Sequence, residues 1–338
     1  MKIHVYLLLL CSLFPVHCRA QKASDDASLT WAQGAVWYQI FPERFRNGWT
    51  GNDPIKERVV GDRAWEWHVH PWTADWYKMQ DWEKARSDRF YDVVFYRRFG
   101  GDLVGVVQKL DYLKELGIDA IYFNPIFEAP SLHKYDATTY HHVDNNFGYN
   151  REGDWQAIQA EKDDPSTWSF TSADSVFLDL IVQAHKRNIK IVIDGVFNHC
   201  GDTFWAFRDV VEKQQKSRYR SWFDVTRWDD PATPDTNEFD YKSWWGFKAH
   251  PEFREDENGL VEPVKRYIFN ITKRWMDPNG DGDPSDGIDG WRLDVIQDVA
   301  PAFWEEWYRL VKSINPDAIT IGEIWDKAPD WIQHKRID

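Results

Sequence analysis

The strongest constraint on this chain is a repeated pairing of short β-branched apolar runs with stretches of helical apolar spacing. Ile189 to Ile193 reads Ile-Lys-Ile-Val-Ile and follows a helical stretch from Ala173 to Arg187. Strands that read as near-continuous apolar runs are buried on both faces, as in parallel α/β sheets. The same reading predicts strands at Ala35 to Phe41, Ile118 to Phe123, Ile288 to Leu293 and Ala318 to Ile321. It predicts helices at Leu103 to Leu116, stopped by Gly117, within Arg254 to Trp275, and at Pro301 to Ile314. Five βα units in a row imply an α/β fold with a parallel sheet, either doubly wound or the start of a (β/α)8 barrel. No G-x-G-x-x-G or Walker-type loop follows a strand, which argues against nucleotide binding. Polar residues cluster after the strand ends, where barrel enzymes keep their chemistry.

Two connections are long: Trp49 to Phe99, rich in Trp and charge, and Gly201 to Pro251. Loops of that length are usually functional when ordered. Residues 201–251 are expected to form an inserted subdomain over the active face.

The formal net charge is -14 with no long basic run, which argues against nucleic-acid or anionic-membrane partners. Met1-Lys2, the apolar run Ile3 to Val16 and Cys18-Arg19-Ala20 read as a signal peptide cleaved near Ala20, so residues 1–20 are expected to leave the mature chain. That implies a secreted or periplasmic protein; a lipid anchor at Cys18 is the less favoured reading. No later stretch is long and apolar enough to span a bilayer. Cys200 is then the one cysteine left, without a disulfide or a cysteine metal cluster.

Three strand ends carry acids in distinctive settings. Asp194-Gly195-Val196-Phe197-Asn198-His199 follows the third strand. In Gly290-Trp291-Arg292-Leu293-Asp294, alternation puts Arg292 and Asp294 on one face, where the cation favours an ionised carboxylate. In Gly322-Glu323-Ile324-Trp325 the apolar neighbours predict a raised pKa for Glu323 and a proton to donate. Unlike carboxyls suit glycosidic cleavage: one protonates the leaving oxygen, the other meets the oxocarbenium-like carbon. In a retaining enzyme the two are roughly 5–5.5 Å apart.

These three segments resemble the first three signature regions of glycoside hydrolase family 13, the α-amylase family. Trp37 to Phe45 (Trp-Tyr-Gln-Ile-Phe-Pro-Glu-Arg-Phe) and His133-Lys134-Tyr135-Asp136 resemble its neopullulanase, cyclomaltodextrinase and maltogenic-amylase branch. The resemblance covers the chain from about Trp37 onward and implies a (β/α)8 catalytic domain over residues 21–338, with about five βα units present. It implies a retaining hydrolase of α-glucosidic bonds in maltodextrins, cyclodextrins, pullulan or starch. Asp294 would be the nucleophile and Glu323 the acid/base. Arg292 would orient Asp294, His199 would bond the reacting sugar, and Tyr135 would stack on it with His133 nearby. Asp194 and Asn198 would support the geometry.

The resemblance also implies Ca2+. Asn47, Asn52, Asp53, Gly100 and Asp102 match a calcium site of this branch, except that Trp49 stands where the family has an Asp. Separately, Asp277, Asn279, Asp281 and Asp283 have EF-hand-like spacing, with Ile288 at the position of the usual Glu and Asp286 as a substitute. The family's fourth signature region, with a third acid on strand seven, lies past the strands read here. This chain is therefore expected to be a fragment, and the alternative to a hydrolase is a carbohydrate-binding relative without turnover.

Overall fold

The computed structural model describes residues 29–61, 63–234 and 238–338; the expected signal peptide lies outside them. Five parallel strands form the central sheet: β1 (Trp37–Ile40), β2 (Ala120–Phe123), β3 (Lys190–Gly195), β4 (Gly290–Leu293) and β5 (Ile319–Gly322). Their spatial order equals their chain order. This is the arrangement of the first five units of a (β/α)8 barrel, and it excludes the doubly wound alternative, in which strand order reverses. All five expected strands are present, each trimmed by a residue or two at its N-terminal end.

Helices return between the strands. Ser172–His185 precedes β3 and Pro301–Ile314 precedes β5. The expected helix from Leu103 to Leu116 is instead two, Leu103–Val107 and Leu110–Glu115. At the break the Lys109 amide bonds the Val106 carbonyl, a tightening of the ladder from four residues to three. The helix expected within Arg254 to Trp275 is Glu262–Met276, started by Pro263. Sheet and helices share one core in which Trp275, Trp291, Trp304 and Trp307 are fully buried.

Three excursions leave the C-terminal ends of the strands, where a barrel places its site. Residues 41–102 follow β1. Residues 124–171, unexpected from the sequence, follow β2 and carry the helix Arg151–Ala160. After β3 come the helix Trp205–Lys213 and a ribbon pairing Val225–Arg227 with Asp240–Tyr241. Phe204, Trp205, Phe207 and Trp222 of this last excursion join the main core, so it is rooted on the sheet. Among the described residues no helix is long and apolar enough to cross a membrane.

Candidate active site

Strand register builds the site. Asp194 of β3 and Arg292 of β4 are register partners, and Leu293 pairs with Gly322 of β5. Asp294 and Glu323 therefore leave adjacent strand ends one residue further on. The ladder continues through both, with the Asp294 amide on the Gly195 carbonyl (3.1 Å) and the Glu323 amide on the Leu293 carbonyl (2.9 Å).

Arg292 ties three acids together. Its Nη1 donates to Asp194 Oδ1 (3.0 Å) and Asp294 Oδ1 (2.8 Å), and its Nη2 lies 2.8 Å from Glu323 Oε2. The Asp294 and Glu323 carboxylates thus meet on the two terminal nitrogens of one guanidinium. Glu323 accepts from Trp325 Nε1 (3.1 Å) and from the Val295 amide (3.2 Å). Val295 turns that amide inward through a left-handed backbone, φ 39°, which costs a β-branched residue about 1–3 kcal/mol.

One cation serving three carboxylates sets the protonation pattern, and it reverses the expectation from sequence. Asp294 is pushed up to about 7, first by burial, then by the Asp194 charge, with Arg292 opposing. Burial likewise pushes Asp194 up to about 6, against Arg292 and the hydroxyls of Tyr122 and Tyr135. Burial also raises Glu323, but the Trp325 donor, the Arg292 charge and the Val295 amide outweigh it, so this carboxyl is held below its usual range. Glu323 is the more exposed, its side chain 30% accessible against 10% for Asp294, so less desolvation opposes its charge.

The other expected residues gather around the same point. Tyr135 OH donates to Asp194 Oδ2 (3.2 Å), and its carbonyl lies 3.1 Å from His199 Nε2. The rings of His133 and Tyr135 are 5.8 Å apart. His199 Nδ1 lies 2.7 Å from Asn198 Oδ1, while Asn198 Nδ2 is buried without a partner. Turning that amide over lets Nδ2 donate to a neutral imidazole, and burial lowers the His199 pKa to about 3. His199 therefore meets the cleft uncharged.

Several neighbours were not foreseen. Tyr122, in the middle of β2, donates to Asp194. Trp244 stacks on His199 with ring centroids 5.5 Å apart, and His250 lies edge-on at 4.9 Å. Trp245, 67% exposed, meets Trp325 at 5.3 Å beside Glu323. Trp244 and Trp245 both lie in the expected subdomain of residues 201–251, but nothing in their spacing shows that Trp244 returns over His199.

The loop after β1 brings oxygen atoms together. Asn47 Oδ1 and Asn52 Oδ1 are buried without partners. Asn47 Nδ2 lies 2.6 Å from Asp53 Oδ1, and burial raises the Asp53 pKa. A Cβ on Gly100 would stand 2.5 Å from Asp53 Oδ1, so only glycine lets this backbone come so close. Asp102 differs from the rest. Its oxygens accept from the amides of Gly48, Trp49 and Gly105 and from Asn52 Nδ2, capping the helix Leu103–Val107.

In the acidic loop, Asn279, Asp281 and Asp283 each accept the amide two residues on, and Asp277 accepts from Gly282. Ile288 is fully buried in the core, so the EF-hand pattern has no closing ligand there. Asp277 Oδ1 and Asp286 Oδ1 are nevertheless buried without partners, so Asp286 lies with Asp277 at the place where the missing Glu would act.

The sheet and this site define an α-amylase-type catalytic domain. The chain belongs to the family described as alpha amylase, catalytic domain, matched over residues 39–163 and 170–338. It is 40% identical over 309 residues to neopullulanase 2 of Thermoactinomyces vulgaris, covering 91% of this chain and 42% of that one. It is 34% identical to a cyclomaltodextrinase of Thermoanaerobacter pseudethanolicus, with the same coverage. Among solved structures it matches the type III pullulan hydrolase from Thermococcus kodakarensis with a TM-score of 0.68 and 30% identity, over 92% of this chain and 46% of that one. The cyclic alpha-maltosyl-(1→6)-maltose hydrolase from Arthrobacter globiformis, in complex with maltose, matches with a TM-score of 0.65 and 31% identity, over 91% and 55%. The chain thus spans about 40% of the length of these curated relatives.

Proposed function

We propose that this domain belongs to a retaining glycosidase that cleaves α-glucosidic bonds in maltodextrins, cyclodextrins, pullulan or starch. The observation that carries it is the single guanidinium of Arg292 holding Asp294 and Glu323 from adjacent strands. Two carboxyls gripped by one guanidinium are paired as a retaining mechanism pairs its nucleophile and acid/base.

In the free site the shared proton favours Asp294. A glucan seated on Tyr135 and against Trp325 strips water from Glu323 and raises its pKa. The proton then passes from Asp294 to Glu323, leaving Asp294 ionised beside Arg292. Glu323 protonates the glycosidic oxygen as that C–O bond breaks, and Asp294 bonds the anomeric carbon. Glu323 next takes a proton from water, whose oxygen displaces Asp294 and restores both carboxyls. Neutral His199 turns Nε2 from the Tyr135 carbonyl to a hydroxyl of the seated sugar. The intact acid pair favours this over a carbohydrate-binding relative without turnover.

The test is a reducing-sugar assay of the full-length protein on cyclodextrin, pullulan and starch. Asp294→Asn and Glu323→Gln should each lower kcat at least about 10³-fold with the fold intact. Undiminished turnover in either variant rejects the assignment.

We propose a calcium site in the β1 loop, where the oxygens of Asn47, Asn52 and Asp53 would hold the ion beside Gly100, with Asp102 bracing the loop from behind. Bound there, it would supply charge compensation for Asp53 and tie the loop to the helix start. Chelation should lower Tm by a few degrees and Asp53→Asn should abolish that response; an unchanged Tm on chelation removes the metal. Export through residues 1–20 is also proposed, and a secreted chain whose N-terminal sequence begins near Gln21 would support it.

A further inference from the structure

The excursion after β1 is built more elaborately than a connection requires. It has its own small core of Val60, Trp67 and Trp82, backed by Trp65, Val69 and Tyr96. A fully buried ion pair braces it: Arg97 donates from Nε to Glu83 Oε1 (2.8 Å) and from Nη2 to Glu83 Oε2 (2.7 Å). Glu83 also closes a capping box with Gln80, and Arg86 lies 4.2 Å over the Trp65 ring. These contacts tie residues 65–97 together around their own core.

That unit carries an open groove of about 790 Å³. Val69, Pro71 and Trp82 give it an apolar floor; Asp75, Lys78 and Gln80 line its rim. Beside it in the chain stand Trp72, 44% exposed, and Tyr77, 75% exposed. Trp72 is held edge-on against Phe99 and Tyr77 at a tilt against Phe90, which supports each ring from one side. Acids and lysines alternate in the lining, so it selects neither an anion nor a cation. Exposed aromatic faces next to alternating donors and acceptors suit a neutral ligand with apolar faces and hydroxyl edges, as a sugar ring has.

The place of the groove says which sugar. The excursion leaves the C-terminal end of β1, on the same face of the sheet as Asp294. At its far end Arg98 donates to the carbonyls of Phe95 and Pro130, joining it to the segment that carries His133 and Tyr135. The groove-bearing unit and the Tyr135 loop are thus fastened to one another on one face of the sheet.

We infer that Trp72, Tyr77 and the groove between Pro71 and Trp82 form a second, non-catalytic binding site for α-glucan chains. The inference rests on the α-glucan reading of the active site. The site holds a polymer beside the cleft while short oligosaccharides are handled by the cleft alone.

The experiment is electrophoresis of the full-length protein in native gels containing amylopectin, with Asp294→Asn as the parent so that the polymer stays intact. Adding Trp72→Ala and Tyr77→Ala should weaken retardation about fivefold, the scale of losing one or two aromatic contacts. In the active background the same pair should leave maltotriose turnover unchanged and raise KM for amylopectin. Tyr77→Ala alone removes a ring that supports little else, and should give a smaller loss in the same direction if Trp72→Ala unfolds the unit. Unchanged retardation in folded variants, with maltotriose still hydrolysed by the unmutated protein, overturns the second site and leaves the hydrolase reading standing. A protein that neither hydrolyses nor is retarded by any α-glucan removes both.

Discussion

Two buried charge clusters in this molecule use the same side-chain types to opposite ends. At the strand ends, Asp194, Asp294 and Glu323 share one cation, Arg292. Behind β2, His142 bridges Asp174 (2.7 Å) and Glu161 (3.0 Å), while Arg274 adds a second bond to Asp174 (3.2 Å). In the second cluster two anions meet two cations. Burial raises Asp174 and Glu161, yet the His142 bonds outweigh it and both are held low. In the first cluster cations are short, and Asp194 and Asp294 rise to about 6 and 7. A balanced cluster fixes its protons and serves as a brace. An unbalanced one keeps a proton in play near neutral pH, which is what general acid/base chemistry needs.

The sharpest break between the clusters is in what a substitution costs. Arg274→Met removes one of the two cations on buried Asp174, leaving His142, and should destabilise by about 1.5–3 kcal/mol, read by urea melts, with kcat of the surviving folded fraction unchanged. Asp294→Asn removes an undercompensated buried charge, so its melt should match or exceed the parent even though turnover is lost. If Arg274→Met lowered kcat without affecting stability, the division of labour would be wrong.

A smaller effect tests the balance by pH. Burial opposes the His142 imidazolium, but its bonds to Asp174 and Glu161 prevail and its pKa is raised. A raised folded-state pKa stabilises fully below the unfolded value, about 6.5, and that contribution is lost as pH rises through the folded value. Asp174 and Glu161, held low, add stability above about pH 4–5 that is lost as pH falls through their folded values. Tm should therefore fall on the alkaline side of about 6.5, and His142→Gln should flatten that limb. An identical slope in His142→Gln would mean that the imidazole carries no net charge in the fold.

The parallel sheet was legible because its inner strands β2 and β3 are buried on both faces and read as near-continuous apolar runs, with the same spacing of run and helix on either side. Asp194, Arg292, Asp294 and Glu323 were legible because strand ends are where such runs stop and polar residues begin. Tyr122 was hidden inside a run, since its ring packs like its neighbours and only its hydroxyl reaches Asp194. Trp244 and His250 come from a distant loop, and no local spacing says where a loop returns. The start of the helix at Ser172 is fixed by the reciprocal cap of Thr171 and Asp174. The same Asp174 anchors the His142 cluster, a double duty invisible in one dimension. The reversed order of Asp294 and Glu323 has a similar origin: the residue types were right, but the ratio of acids to guanidinium emerges only when three strands meet.

Cys200, directly after His199, is fully buried, and its amide bonds the Pro251 carbonyl at 3.0 Å, where the chain returns beneath Trp244 and His250. Burial raises its thiol pKa far above the usual range, so it is unreactive in the closed fold. It is the free cysteine among the described residues. Its rate of alkylation therefore becomes a clock for how often the 244–251 segment lifts from the cleft, and a bound sugar that presses on Trp244 should slow that clock.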